Sequence, residues 1–389
     1  MRSVLTRARH GLVMGSVLGL AVVLGSCGGG GGGGYSGGGG GTPPPATPQA
    51  TAPAVATSAQ QHGATIVSLS STTAGAAIYY TVDGTTPTAA STKYQAPFLV
   101  AANVTVKAIA TATGYTTSTV TSQDFAPNIA AGTLVWSDEF DNATGAPAAP
   151  NATIWGYDTG NSGFGNHELE TYCAATATAS PCDSTNPNAY VGTDGSLHIV
   201  ARNPSSNVFT SARMKTQGLF SFQYGRFEVR ARAPEAQGFW PAIWTLGNNI
   251  DTTGWPASGE QDILERVNGP LTPDWNKGSV HGTGFTGNDI GSTYNFPAGE
   301  TAAGWHTYGM IWKPGSVAYY VDDAAHPYTI IATTDLTGHA GAVWPFDNGQ
   351  SVFLIMNLAV GGDWPGSPDG TTPYPSEMQV DYVRIYTTN

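Results

Sequence analysis

The chain runs to 389 residues with a formal charge of −12 at pH 7, and charged residues make up only 11% of it. That length accommodates two folded domains and a tail, and the acidic balance argues against nucleic acid or another polyanion as partner. With 51 Gly, 26 Pro, 17 Tyr and 10 Trp and no sustained 3.6-residue apolar period, an all-β chain rich in turns is expected.

Residues 1–26 read as an export signal. Arg2, Arg7 and Arg9 form a basic start and Gly11 to Leu24 an apolar stretch. Leu24-Gly25-Ser26-Cys27 resembles a bacterial lipobox, which implies lipidation of Cys27 and a place at the cell envelope or surface. Plain secretion is the alternative. Residues 27–56 follow as a tether, two glycine runs and then Thr, Pro and Ala, a composition without the apolar surface to fold.

Residues 57–127 alternate short strands with turns. Strands are expected at Thr65–Ser70, Ala77–Val82, Val104–Ala110 and Val120–Phe125, with Asp83-Gly84-Thr85-Thr86-Pro87-Thr88 as a turn. Ile78 to Pro87, Val104 to Ala110 and Gly114-Tyr115 resemble the chitobiase/hexosaminidase C-terminal-like (fibronectin-III-associated) sandwich. A spacer or accessory module is expected. Tyr79, Tyr80 and Tyr115 would bind sugar only if exposed, and alternating aromatics in a sandwich more often form core.

Residues 131–389 form one long β unit that begins and ends in strands, Leu134 to Phe140 and Gln379 to Tyr386. Cys173 and Cys182 lie nine positions apart in a loop-like stretch. In an exported chain whose third cysteine carries lipid, these two are the natural disulfide pair.

The chemistry concentrates in Ser258-Gly259-Glu260-Gln261-Asp262-Ile263-Leu264-Glu265-Arg266-Val267. Alternation along a strand turns Glu260 and Asp262 to one face and Glu265 to the other. One extra residue, a β-bulge near Ile263-Leu264, returns Glu265 to the face of the other two. Converging carboxylates raise at least one pKa, so one group stays protonated while another is ionised, as glycosidic bond cleavage requires. A solvated acidic strand is the alternative, and apolar Ile263 and Leu264 with Trp244 and Trp255 nearby argue against it.

Around this stretch stand Ser137 to Phe140, Gly163 to Glu170, Thr210 to Met214, Tyr224 to Arg230, Gly238 to Trp244, Val280 to Gly282, Trp305-His306 and Met356 to Gly362. In this order they resemble glycoside hydrolase family 16, and within it the laminarinase-like endo-β-1,3-glucanases. The resemblance implies a β-jelly-roll with an open cleft, acting on β-glucan as a monomer with no cofactor for catalysis. It implies Glu260 as nucleophile, Glu265 as general acid/base, and Asp262 between them holding the nucleophile's charge in place. Gln261 stands where the family more usually has an aliphatic residue, and it should face away from the cleft.

Asn166, Trp240, Trp255 and Asn357 match positions that contact sugar, and Arg213 also matches and could contact a hydroxyl or buttress a carboxylate. Trp244 could share that face or be core, Trp364 could line the cleft or not, and His281 could bind near the leaving group or serve the sheet. Trp136, Trp155, Trp305, Trp312 and His306 read as structural. A structural calcium between the domain's two ends would use Glu139, Asp381 and the Gly195 carbonyl. Mixed-linkage glucan or an agar-type galactan are alternative polymers, and a glucan-binding surface lipoprotein is the non-enzymatic alternative.

Overall fold

The strand Gly225–Arg232 shows how the sequence builds the larger domain. Phe227, Val229 and Ala231 are buried, whereas Arg226, Arg230 and Arg232 alternate outward and lie over the rings of Tyr386 and Trp305. Such alternation gives a sheet one apolar face that must be covered by a second layer. The computed structural model describes residues 45–142, 144–269, 271, 273–286 and 290–388. The expected export signal and Cys27 lie outside the described residues.

Two antiparallel-dominated sheets provide those layers. Seven strands form one sheet, in the order Ile290–Asn295, Trp275–His281, Glu260–Glu265, Phe239–Gly247, Val352–Val360, Arg213–Lys215 and Gly156–Asp158. Ten form the other, centred on Ser376–Tyr386, which pairs with Leu197–Ser205, Gly225–Arg232 and Leu134–Asp138. Phe239, Ile243, Met214, Met356 and Leu358 from the first meet Phe227, Val229, Met310, Val383 and Ile385 from the second in one core. Trp136, Trp155 and Trp312 are buried in it, as expected. The outer face of the seven-stranded sheet is left for the cleft.

The small sandwich has sheets of three and four strands. Its strands include Thr65–Ser70, Ala77–Thr81, Val104–Thr111 and Thr121–Phe125, close to the expected bounds. A strand at Ala54–Ala59, laddered on Thr65–Ser70, begins inside the stretch expected to be tether, and Ala50 is buried in the same core. The tether boundary at 56 is therefore corrected. Backbone pairing holds this largely exposed strand of small residues, which carries no apolar alternation. Tyr80 is core, stacked on Phe98 at 4.8 Å, and is no sugar platform, whereas Tyr115 is exposed.

Thr47–Asn389 forms one compact unit. Ala64 belongs to the core of the large domain, and Ile66, Leu99 and Ala101 pack against it. Leu99 N–H donates to the Ser221 carbonyl at 3.0 Å, and Ser221 Oγ donates to the Pro97 carbonyl at 2.9 Å. On this ground both sandwiches should melt in one calorimetric transition. Leu99→Asp, which places a charge in the seam at a cost of several kcal/mol, should lower its midpoint; two separate transitions in the unaltered protein would show that the sandwiches are independent.

Candidate active site

The strand Glu260–Glu265 lies between Phe239–Gly247 and Trp275–His281. Against the first, Leu246 faces Glu260, Trp244 faces Asp262, and Ile243 and Ala242 face Leu264 and Glu265; the register slips between Ile243 and Trp244. Ile263 is thus the extra residue of a bulge, and Glu260, Asp262 and Glu265 all line one cleft. Ile263 and Leu264 are fully buried. Gln261 faces away from the cleft, where its carbonyl oxygen accepts from Thr245 Oγ1 at 2.9 Å.

On the other side the ladder runs from Glu260↔His281 to Asp262↔Ser279 and stops. There a side chain replaces it. Asn276 Oδ1 accepts the Glu265 N–H at 3.1 Å, and Asn276 Nδ2 donates to the Ile263 carbonyl at 3.1 Å. This buried carboxamide mimics a peptide unit and satisfies the two backbone groups that the bulge leaves without strand partners.

Arg266, the cation nearest in sequence, does not serve the trio. It is wholly buried and pairs with Asp274 at 2.5 Å and Glu235 at 3.5 Å. His281 faces the carboxylates instead, with Nε2 3.1 Å from Asp262 and 3.7 Å from Glu260. Asp262 also accepts from Ser279 Oγ at 2.8 Å, and Trp255 Nε1–H donates to Glu260 at 2.9 Å.

Burial, then the charge of Asp262, pushes Glu260 up to about 8, against the pull of His281 and the Trp255 hydrogen bond. Glu265 is driven well above the ordinary carboxyl value by burial, then by Asp262 and Glu260. Burial works against charge on His281, but its hydrogen bond to Asp262 and the surrounding carboxylates outweigh this and raise it to about 10. The two glutamates differ in their donors: Glu260 receives one from Trp255 and sits beside an imidazolium. The environment therefore favours ionisation at Glu260 and the proton at Glu265. Ligand atoms of Glu260, Asp262 and His281 lie within 4.8 Å of one another, with the His281 imidazole facing both carboxylates.

The cleft encloses about 360 Å³, and Asn166, Arg213, Trp240, Trp244, Trp255 and Asn357 line it. Trp244, left open by its sequence position, is on the cleft side. Its Nε1–H donates to Asn357 Oδ1 at 2.8 Å, and the Arg213 guanidinium lies 4.7 Å over its ring. Asn357 Nδ2 donates to Tyr172 OH, which donates to Glu168, so the platform is held by a buried chain of hydrogen bonds. Trp364 is exposed and packs against Trp240 and Trp275 with centroids 5.4 and 5.9 Å away. His306 is structural, between Asp322 and the Thr301 carbonyl. Cys173 and Cys182 are bonded, their Cα atoms 5.7 Å apart.

Phe164, Glu168 and Leu246 line the cleft without having been singled out. Glu168 lay inside a recognised motif; Asn276 had no signal at all, because its role exists only once the bulge has set the register.

The calcium expectation does not fit this arrangement. Arg384 donates to both oxygens of Glu139 at 2.9 and 2.7 Å, and Arg230 holds Asp381 at 2.6 Å. Each carboxylate expected to bind the ion already carries a guanidinium, while Gly195 is the left-handed residue of a turn, with φ of +74°.

Residues 177–384 match the model of glycosyl hydrolases family 16, and residues 67–125 match the Fn3 associated model. A "Beta-glucanase" of Rhodothermus marinus is 40% identical over 264 residues, which cover 65% of this chain and 84% of that protein. "Glucan endo-1,3-beta-glucosidase A1" of Niallia circulans is 34% identical over 67% of this chain, but the match spans only 38% of that protein's length. The solved catalytic domain of an endo-1,3-beta-glucanase (laminarinase) from Thermotoga petrophila superposes with a TM-score of 0.57 at 38% identity, over 66% of this chain and 98% of that one. With three carboxylates gathered in an aromatic-walled cleft on a two-sheet fold, and with this match over more than half of its length, the chain belongs to glycosyl hydrolase family 16 and is a glycoside hydrolase.

Proposed function

We propose that the protein is an endo-acting, retaining hydrolase of β-1,3-glucan. The observation that carries the mechanism is the bulge at Ile263, which brings Glu265 to the face of Glu260 within one strand. A retaining enzyme needs its two carboxyls about 5–5.5 Å apart, and Glu260 and Glu265 flank Asp262 on one cleft-facing side, from which their side chains can lean together. Glu260 attacks the anomeric carbon while Glu265 protonates the departing oxygen; a glycosyl-enzyme forms on Glu260, and Glu265 then takes a proton from a water whose oxygen bonds to the anomeric carbon as the bond to Glu260 breaks, releasing the sugar and the free carboxylate. Asp262 and His281 steady the nucleophile. Trp240 and Trp255 present ring faces to sugar C–H groups. Trp240 Nε1–H, buried with no partner among the described residues, is a donor for a sugar hydroxyl. The β-1,3-glucan reading is supported by the laminarinase and β-1,3-glucanase relatives.

Export and lipid attachment at Cys27 belong to the same proposal and rest on the sequence alone; Cys27→Ser should release the protein from membranes into the soluble fraction. A calcium ion at Glu139 and Asp381 would have to displace Arg384 and Arg230. Nothing in the proposed reaction passes through it.

Laminarin, lichenan, agarose and carrageenan offered side by side should yield reducing sugar fastest from laminarin; none from laminarin would sink the polymer assignment. Glu265→Ala should lose about 10²–10⁴-fold in kcat on glucan and regain turnover with azide on an activated glycoside, giving the β-glycosyl azide. An α-azide would exchange the roles of the two glutamates. Asn276→Ala should lower kcat with little change in KM, since it frees the backbone that aims Glu265.

Glu260→Gln should abolish turnover and reveal the linkage between charge and stability. The folded-state value of Glu260 is raised from 4.5 to about 8, so the folded protein holds the proton more tightly than the unfolded chain. Its contribution to stability is full below the lower value and lost as pH climbs through the upper one. The melting midpoint of Glu260→Gln should match that of wild type most nearly near the lower limit and gain on it as pH rises through this window, measured by calorimetry.

A further inference from the structure

The seam between the two sandwiches contains a polar pocket outside the cleft, lined by Gln95 from the small sandwich and by Lys215, Gln217, Gly218, Asn248 and Asp251 from the large domain. We propose that this pocket is a remote subsite for the same glucan chain, so that the small sandwich takes part in substrate binding through Gln95. The inference rests on the glucan reading above.

Three observations carry it. The pocket is joined to the cleft wall. Arg213, which lines the cleft, and Lys215, which lines the pocket, point to the same side of one short strand, because Met214 between them is buried in the core. Their side chains start about 7 Å apart, and Asp158 grips both, Arg213 at 3.0 Å and Lys215 at 2.6 Å. A chain leaving the cleft past Arg213 therefore meets Lys215 next.

The lining also suits a neutral polyhydroxyl ligand. Lys215 is balanced by Asp158 and donates to Gln217 at 2.7 Å, while Gln217 donates to Asp251 at 3.2 Å. This leaves amides, a compensated pair and the Asp251 carboxylate, an acceptor for hydroxyl donors, with no free cation among the described residues of the lining to select an anionic ligand. Two buried groups here lack partners among the described residues: the donor Gln95 Nε2 and the acceptor Asn248 Oδ1, with Asn248 only 5% exposed. A buried polar atom without a hydrogen bond is costly. A sugar hydroxyl both donates and accepts, and so complements such a pair.

Finally, the pocket is held in shape. Asn248 Nδ2 donates to Ser351 Oγ at 2.8 Å, Ser351 Oγ to Ser221 Oγ at 3.1 Å, and Ser221 Oγ to the Pro97 carbonyl at 2.9 Å. This chain runs from the pocket floor into the small sandwich, two residues beyond Gln95. The subsite is therefore complete only while the sandwiches are docked.

The test compares wild type, Gln95→Ala and Gln217→Ala on polymeric β-1,3-glucan and on short β-1,3-oligosaccharides that fill the cleft alone, with melting midpoints recorded for each. Gln217 is on the pocket rim, so its variant should fold even if Gln95→Ala does not. Each variant should raise KM for the polymer about fivefold, the loss of one hydrogen bond to substrate, with kcat on both substrates and KM on the short ones unchanged. Polymer kinetics identical to wild type in both variants would overturn the subsite while the wild-type turnover leaves the glucan reading standing. An equal loss on short and long substrates would also overturn it, since the effect would then act at the reacting centre. A wild-type enzyme inactive on β-1,3-glucan would overturn both readings.

Discussion

One unpaired residue in one strand governs the active centre. Without Ile263 as the extra residue of a bulge, Glu265 would point into the core, where a carboxylate has no partner and costs several kcal/mol to bury. With it, three acidic side chains share the cleft. Asn276 stabilises the irregularity by standing in for the missing rung of the ladder. Its hydrogen bonds on both sides of the bulge, to the Ile263 carbonyl and from the Glu265 N–H, make it a fixture of the catalytic geometry although it touches no reacting atom.

The electrostatics follow from that placement. Carboxyls crowded in a partly dry cleft raise one another, and His281 offsets this at both glutamates, with Arg213 behind it at Glu260 and Lys277 at Glu265, while Arg266 pairs elsewhere. Arg266 is spent beneath the strand, clamping Asp274 and Glu235. His281, 3.1 Å from Asp262 and 3.7 Å from Glu260, favours charge where the nucleophile needs it.

The small sandwich changes its meaning on docking. As a string of strands it is an accessory module behind a tether; in the folded chain Ala64, Ile66 and Leu99 share the large domain's core, and the seam lies beside the sheet that carries the cleft. Fixing the two units together costs none of the orienting entropy that a flexible linker would leave to be lost on binding a polymer.

Much of this was legible in the residues. Alternating apolar positions specify strands because side chains on a pleated sheet repeat every two residues, and the phase of Glu260, Asp262 and Glu265 by itself requires a bulge. Local patterns cannot report partners distant in sequence. The edge strand Ala54–Ala59 is made by its neighbour's backbone, Trp244 is turned to the cleft by Asn357, and Glu139 and Asp381 are taken by arginines 245 and 151 residues away. The sequence by itself determined the β architecture and the carboxylates that do the chemistry, since both follow from short-range periodicity and residue type. The tertiary structure alone decided how the bulge is held, which cation faces it and where the small sandwich docks, because these depend on contacts between segments that are neighbours only after folding.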